Sequence, residues 1–277
     1  MFYAEYPPHP SLANQVRCIW VFDSMGKAAD APDDNVQTIV PDGYPEMVLH
    51  YGDRFAELGE DGTAATQSRH LFAGQISRPL RLKPGESAGV IGVRFQTAGA
   101  RAVLGMQMHL NTDTRLDLAA AWGRESDHLL DEIYSAAGPV ARVHVVERFL
   151  IRKLANSQIA QDGAVACCVE APRHAAPGLT VDQLATQSGM STRQLERRFL
   201  HEVGLSPRLL ASIFRFRRLF DAVENDAPHR WASAAIAAGY FDQAHMIRDF
   251  KRIAGRTPAA FQSTINGFSQ AMLGTDR

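Results

Sequence analysis

Residues 239–258 read GYFDQAHMIRDFKRIAGRTP. Arg248, Lys251, Arg252 and Arg256 sit among apolar residues at helical spacing, so the stretch is either a solvated charged helix or a helix laid against a polyanion. A second copy decides between them. FLHEVGLSP (199–207) and FKRIAGRTP (250–258) share one pattern: Phe, four residues, Gly, one residue, Ser or Thr, Pro. Upstream, Leu195 precedes Phe199 by four residues, and Met246 precedes Phe250 by four. Gly189 lies six before Leu195, and Gly239 seven before Met246. Ala185 and Ala235 each lie four before those glycines. One unit occurs twice, with one extra residue in the second turn.

Each unit has a physical reading. A short helix ends at a glycine able to take the left-handed conformation. A tight turn follows, and a second helix starts at Ser191 or Asp242, both good N-caps. Leu195/Phe199 and Met246/Phe250 place two large apolar groups one turn apart on the inner face. Gly204 and Gly255 end that helix, and Ser206-Pro207 and Thr257-Pro258 begin the next. This predicts two helix-turn-helix units whose second helices enter a major groove. Between them, residues 207–226 supply a helical rod of about 18 residues, roughly 27 Å long, near the span of one duplex turn.

Charge follows this division. The whole chain of 277 residues has a net charge of -1. Residues 1–177 carry 16 Lys and Arg against 21 Asp and Glu, while residues 178–265 carry 12 against 8, and 11 of those 12 cations are Arg. Guanidinium forks match phosphate oxygens. No apolar run is long enough for a membrane span, and the N-terminus lacks the basic start and apolar stretch of a signal peptide. A cytoplasmic, soluble protein is expected. Cys18, Cys167 and Cys168 have no metal-ligand spacing; the 167–168 pair is either core packing or a redox switch.

The N-terminal part has another texture. VRCIWVFD (16–23), EMVLHYGD (46–53), LRLKPGES (80–87) and GVIGVRFQ (89–96) read as strands bounded by turn residues. Residues 53–66 read as a polar loop. After Thr97 the period lengthens into helices, and Val140, Val143, Val146, Leu150 and Leu154 form an apolar stripe that either joins two copies in a homodimer or packs on its own domain. The expected fold is α+β and multidomain: a β-rich sensor domain with a helical bridge over 1–160, and an all-α domain over 161–268. The latter has helix-turn-helix units at 181–202 and 231–254 joined by a helix at 207–224, with a tail at 269–277.

The segments LTVDQLATQSGMSTRQLERRFLHEVGLSP and AAIAAGYFDQAHMIRDFKRIAGRTPAAFQ resemble the AraC/XylS family of bacterial transcription regulators over about 165–265. Ala244 and Met246 stand where the family more often has Ser and Phe, and Gln262 where a basic residue is usual. The resemblance implies a transcription activator or repressor acting on double-stranded DNA, with RNA polymerase as a further partner. PHPSLANQVRCIWVFD, IVPDGYPEMVLHYGD, FAGQISRPLRL and GVIGVRFQTAGARAVLG resemble the sensor domain of an AraC-like subgroup, which implies effector binding or dimerisation.

Helical geometry then assigns the readers. With Leu195 and Phe199 inward, Arg193, Gln194, Arg197 and His201 face outward. The two arginines suit guanine and Gln194 suits adenine; Glu196 either accepts from cytosine or orients an arginine. In the second unit Gln243, Ala244 and Arg248 are the base candidates, and His245 is either a contact or a packing and capping residue. Arg208, Lys251, Arg252 and Arg256 suit phosphates. In the N-terminal domain, Trp20, Glu46 and Arg94 are candidate effector residues, although Glu46 and Arg94 also read as a structural ion pair. The histidines show no HxH or HExxH spacing, so neither metal nor cofactor is expected, and no catalytic residue stands out. A regulator without an effector and a DNA-repair enzyme carrying an AraC-like module are the alternatives.

Overall fold

A computed structural model describes residues 2–24, 36–174, 180–224 and 231–262. The expected tail at 269–277 lies outside the described residues. Among the described residues there are ten strands: β1 (Phe2–Tyr6), β2 (Val16–Asp23), β3 (Gln37–Ile39), β4 (Glu46–His50), β5 (Ala56–Leu58), β6 (Ala64–Thr66), β7 (His70–Ala73), β8 (Leu80–Lys83), β9 (Gly89–Phe95) and, after the first α-helix, β10 (Arg115–Asp117). They form an antiparallel six-stranded sheet in the order β1-β2-β9-β4-β7-β10 and a four-stranded sheet in the order β3-β8-β5-β6.

The period of two sorts the larger sheet into two faces. Ile19, Val21, Met47, Leu49, Ile91 and Val93 point to a core shared with helices α1 (Ala100–Leu104), α2 (Leu118–Trp122), α3 (Arg124–Ser135) and α4 (Pro139–Ala155). Cys18, Trp20, Phe22 and Val90 point the other way, towards Phe55 and Leu82 of the smaller sheet's side. Gly92 is needed for that second face: a Cβ there would lie 2.1 Å from the Trp20 ring.

Two expectations are corrected, and one open alternative is decided. Residues 53–66 are not a loop but carry the β5–β6 hairpin, turned at Gly62 with φ +82°. Its edge strand β6 is exposed, so small and polar residues suffice and no apolar alternation marks it. Within the helical stretch expected after Thr97, residues 116–136 begin in β10 and their helix is divided at Gly123, φ +55°. Finally, Val143, Val146 and Leu150 of α4 are buried in their own domain's core and Leu154 packs against it, while Val140 is exposed. A stripe already buried there is not available to a second chain. Strands β1, β3, β7 and β10 were not foreseen, being short or weakly patterned.

The C-terminal part is helical: α5 (Gly163–His174), α6 (Val181–Gln187), α7 (Thr192–Glu202), α8 (Pro207–Glu224), α9 (Trp231–Ala238), α10 (Gln243–Ala254) and α11 (Pro258–Gln262). One core gathers Leu195, Phe199 and Phe214 with Val165, Cys168 and Val169 of α5. Cys168 is thus a packing residue, and Cys167 is exposed. A second core gathers Phe216, Leu219, Met246 and Phe250.

One buried group makes the N-terminal domain acid-sensitive. The His50 ring is fully buried against Phe55, with Nε2 3.3 Å from Gln67 Oε1. Burial lowers its pKa to about 4, and Arg54 and Arg69 add to this against the Gln67 bond. The folded state therefore holds neutral imidazole. Its contribution is present above the unfolded value and is lost as pH falls from about 6.5 towards 4, on the order of 3 kcal/mol in all. Melting curves between pH 7 and pH 4 should show this loss, and His50→Gln should flatten it.

Candidate nucleic-acid interface and ligand cavity

The two reader units are built alike down to single bonds. Met190 N donates to Ala185 O at 2.9 Å, and Tyr240 N to Ala235 O at 2.9 Å. Gly189 and Gly239 carry the turns with φ +66° and +92°. Ser191 caps α7 in a capping box, its hydroxyl accepting from Gln194 N while Gln194 Oε1 accepts from Ser191 N at 2.9 Å. Asp242 caps α10, accepting from His245 N at 2.6 Å. Leu195, Phe199, Met246 and Phe250 are all at 0% exposure, so the opposite helix faces are turned outward.

Those faces carry the expected residues. Arg193, Gln194, Glu196 and Arg197 are exposed on α7, and Gln243, Ala244 and Arg248 on α10. Gln194 is already engaged in the capping box, which ties its amide to the helix start. His245 takes the packing and capping alternative: its ring meets Tyr240 edge-on at 5.3 Å, and Nδ1 accepts from Phe241 N at 3.5 Å. Arg208 and Lys251 are exposed and Arg256 is half-buried. Arg252 donates to Asp249 at 2.8 Å. The α8 arginines support the architecture: Arg215 lies over Tyr240, Arg218 reaches Ala238 O, and Arg217 reaches Asp42 in the N-terminal domain.

The helix-turn-helix family model matches residues 184–264. Over these residues the chain carries an AraC-type helix-turn-helix domain. It binds DNA and regulates transcription through this helix-turn-helix domain. Residues 4–117 of the regulator match a second family, described as a domain of unknown function. Solved structures similar to it include ToxT from Vibrio cholerae O395, at 10% identity over 84% of this chain and 97% of that one, TM-score 0.46. Unsaturated fatty acid bound wild-type ToxT from V. cholerae strain SCE256 is 11% identical over 84% of this chain and 95% of that one, TM-score 0.45. The AraC-like transcriptional activator CuxR is 13% identical over 84% and 91%, TM-score 0.27. No curated protein matches the chain. Among the described residues, no helix of the regulator is long and apolar enough to cross a membrane.

A cavity of about 70 Å³ lies between the two sheets of the regulator's N-terminal domain and opens in part to solvent. Trp20, Glu46 and Arg94, brought together from β2, β4 and β9, all line it. Arg94 is 3% exposed and donates from Nε to Glu46 at 2.9 Å, with Asp42 at 3.9 Å. Burial raises the pKa of Glu46 against the pull of Arg94. Burial opposes the charge on Arg94, and Glu46 and Asp42 more than restore it, so its pKa is raised.

Residues 40–44 connect this cavity to the reader. Asp42 and Tyr44 line it. Asp42 also faces Arg217 of α8 at 3.8 Å, and Arg217 stacks over Tyr44 at 5.2 Å. Gly43 sits so close to Phe214 that a Cβ would lie 2.8 Å from its ring, and its φ is +86°. Val40 is buried in the core of the second reader unit.

Several residues escaped the sequence reading. Arg115 lines the cavity but lies on β10, three residues long and hidden beside a helix. Phe241 is 87% exposed at the turn into α10. The adjacent pair Tyr240-Phe241 was the available signal, because in a tight turn only one of two neighbouring rings can enter the core.

Proposed function

We propose that this AraC-type regulator reads DNA through α7 and α10 and is controlled by a small molecule bound in the cavity between its sheets. The observation that carries the reading is the 40–44 segment, which touches the cavity, α8 and the second reader's core at once. A ligand that moves Asp42 or Tyr44 therefore acts on both ends of one element, as allosteric coupling requires. Double-stranded DNA and the effector are its partners in the cytoplasm, with RNA polymerase and a second copy of the chain beside them. Burial of Cys18, whose pKa is pushed up to about 12, disfavours a thiolate there and supports a regulator over a DNA-repair enzyme.

The expected contacts are specific. Arg197→Ala should cost about 1–3 kcal/mol at one base position and relax preference there, whereas Lys251→Ala should weaken binding to all sequences and reduce its salt dependence. Selected-site sequencing with both variants checks this; an unchanged preference in Arg197→Ala sinks the assignment. The full chain is the right material, because a fragment without residue 40 would open the core that Val40 fills.

A further inference from the structure

The cavity has an apolar body and one polar end. Ile39, Val48, Leu71, Ile76, Leu80 and Leu82 form the body. Arg94, Glu46, Asp42 and the indole of Trp20 form the polar end. Trp20 is 2% exposed, yet its Nε1 has no hydrogen-bond partner. The indole N–H acts on the Glu46 carboxylate as a weak donor and favours its charge, short of a full hydrogen bond. A buried N–H in this state is disfavoured, and an oxygen supplied from the cavity satisfies it.

Charge narrows the ligand class. The Arg94 guanidinium already faces three carboxylates: Glu46 at 2.9 Å, Asp42 at 3.9 Å and Glu5 at 3.9 Å. Arg115 lies three strands away across the sheet and has Glu57 at 3.4 Å. An anionic ligand beside Trp20 adds a fourth negative charge to the Arg94 group, in a site where burial weakens screening. A cationic ligand must compete with Arg94 for carboxylates that it already holds. An uncharged ligand meets neither obstacle. We propose that the cavity binds an uncharged, largely apolar molecule with one oxygen, an alcohol or ketone, which accepts the Trp20 indole N–H. This rests on the reading of the cavity as the effector site. A hydroxyl also donates to Glu46, closing a short network.

The test is calorimetric titration of the full chain with octan-1-ol, octanoate and octylammonium, which share one apolar chain and differ in charge. Octan-1-ol should bind at least about ten-fold tighter than either ion. Trp20→Phe should weaken it by about 5–10-fold, the value of one hydrogen bond. Glu46→Gln should narrow the gap between octanol and octanoate, and it serves as the second variant if Trp20→Phe does not fold. Octanoate binding as tightly as octanol, an unchanged affinity in folded Trp20→Phe, or no heat from any of the three overturns the assignment. DNA affinity measured alongside separates this inference from the one beneath it. Octanol binding that leaves DNA affinity unchanged upholds the ligand class and removes the effector role. Octanoate binding that shifts DNA affinity does the reverse.

Discussion

Phe250→Ala should destabilise the second reader unit by about 3–5 kcal/mol and abolish DNA binding by the intact chain. The ring is fully buried. It lies 5.0 Å from Phe216, 5.5 Å from Phe261, 5.8 Å from Phe220 and 5.9 Å from Trp231, centroid to centroid. Those rings come from α8, α9 and α11, so one truncation removes the common neighbour of four aromatic groups. Such clusters relax poorly, and the cavity left behind adds to the lost transfer energy. Val40 belongs to the same core, so the loss should also loosen the segment beside the cavity between the sheets. Denaturant titration followed by tryptophan emission should show Trp231 reporting an early transition. A deficit below about 1 kcal/mol would mean that the core collapses around the gap, and the packing argument fails.

Arg94→Met should cost about 3–5 kcal/mol at neutral pH, because removing one partner leaves buried carboxylates without a counter-charge. Glu46 and Asp42 have side chains only 13% and 14% exposed. The penalty should depend on pH with a definite sign. Burial already raises the Glu46 pKa, and without Arg94 it rises further. A carboxyl whose folded pKa is raised loses stability as pH climbs through that value, so the variant's deficit should be larger at pH 8 than at pH 5. Adding Glu46→Gln should recover part of it. Equal deficits at both pH values would show that Arg94 acts through packing of its stem and not through charge.

The helical half was legible because its structure is local. Caps, turn glycines and the four-residue spacing of Leu195/Phe199 and Met246/Phe250 lie within about 25 residues, and the repeat states them twice. Ser191, Asp242, Gly189 and Gly239 took the places their chemistry requires. The strongest strands, β2 and β9, were also legible, since dense β-branched and aromatic runs bounded by turns need no partner to be noticed. Strands of three residues were not, because only their neighbours hold them extended.

The cavity between the sheets divides along the same line. Charged and aromatic residues inside apolar strands pointed to Trp20, Glu46 and Arg94 one at a time. Only sheet pairing, with Glu46 opposite Arg94 across β4 and β9, set the two charges on one wall. Which face of α4 was buried also depended on the core it met, so the stripe from Val140 to Leu154 read equally well as a dimer seam. The sequence alone determined the two reader units, since helix stops, caps and inward faces are encoded by residues a turn apart. The tertiary structure alone decided that residues 40–44 join cavity to reader. Asp42 meets Arg217 across 175 positions of chain, and no local period carries a contact of that separation.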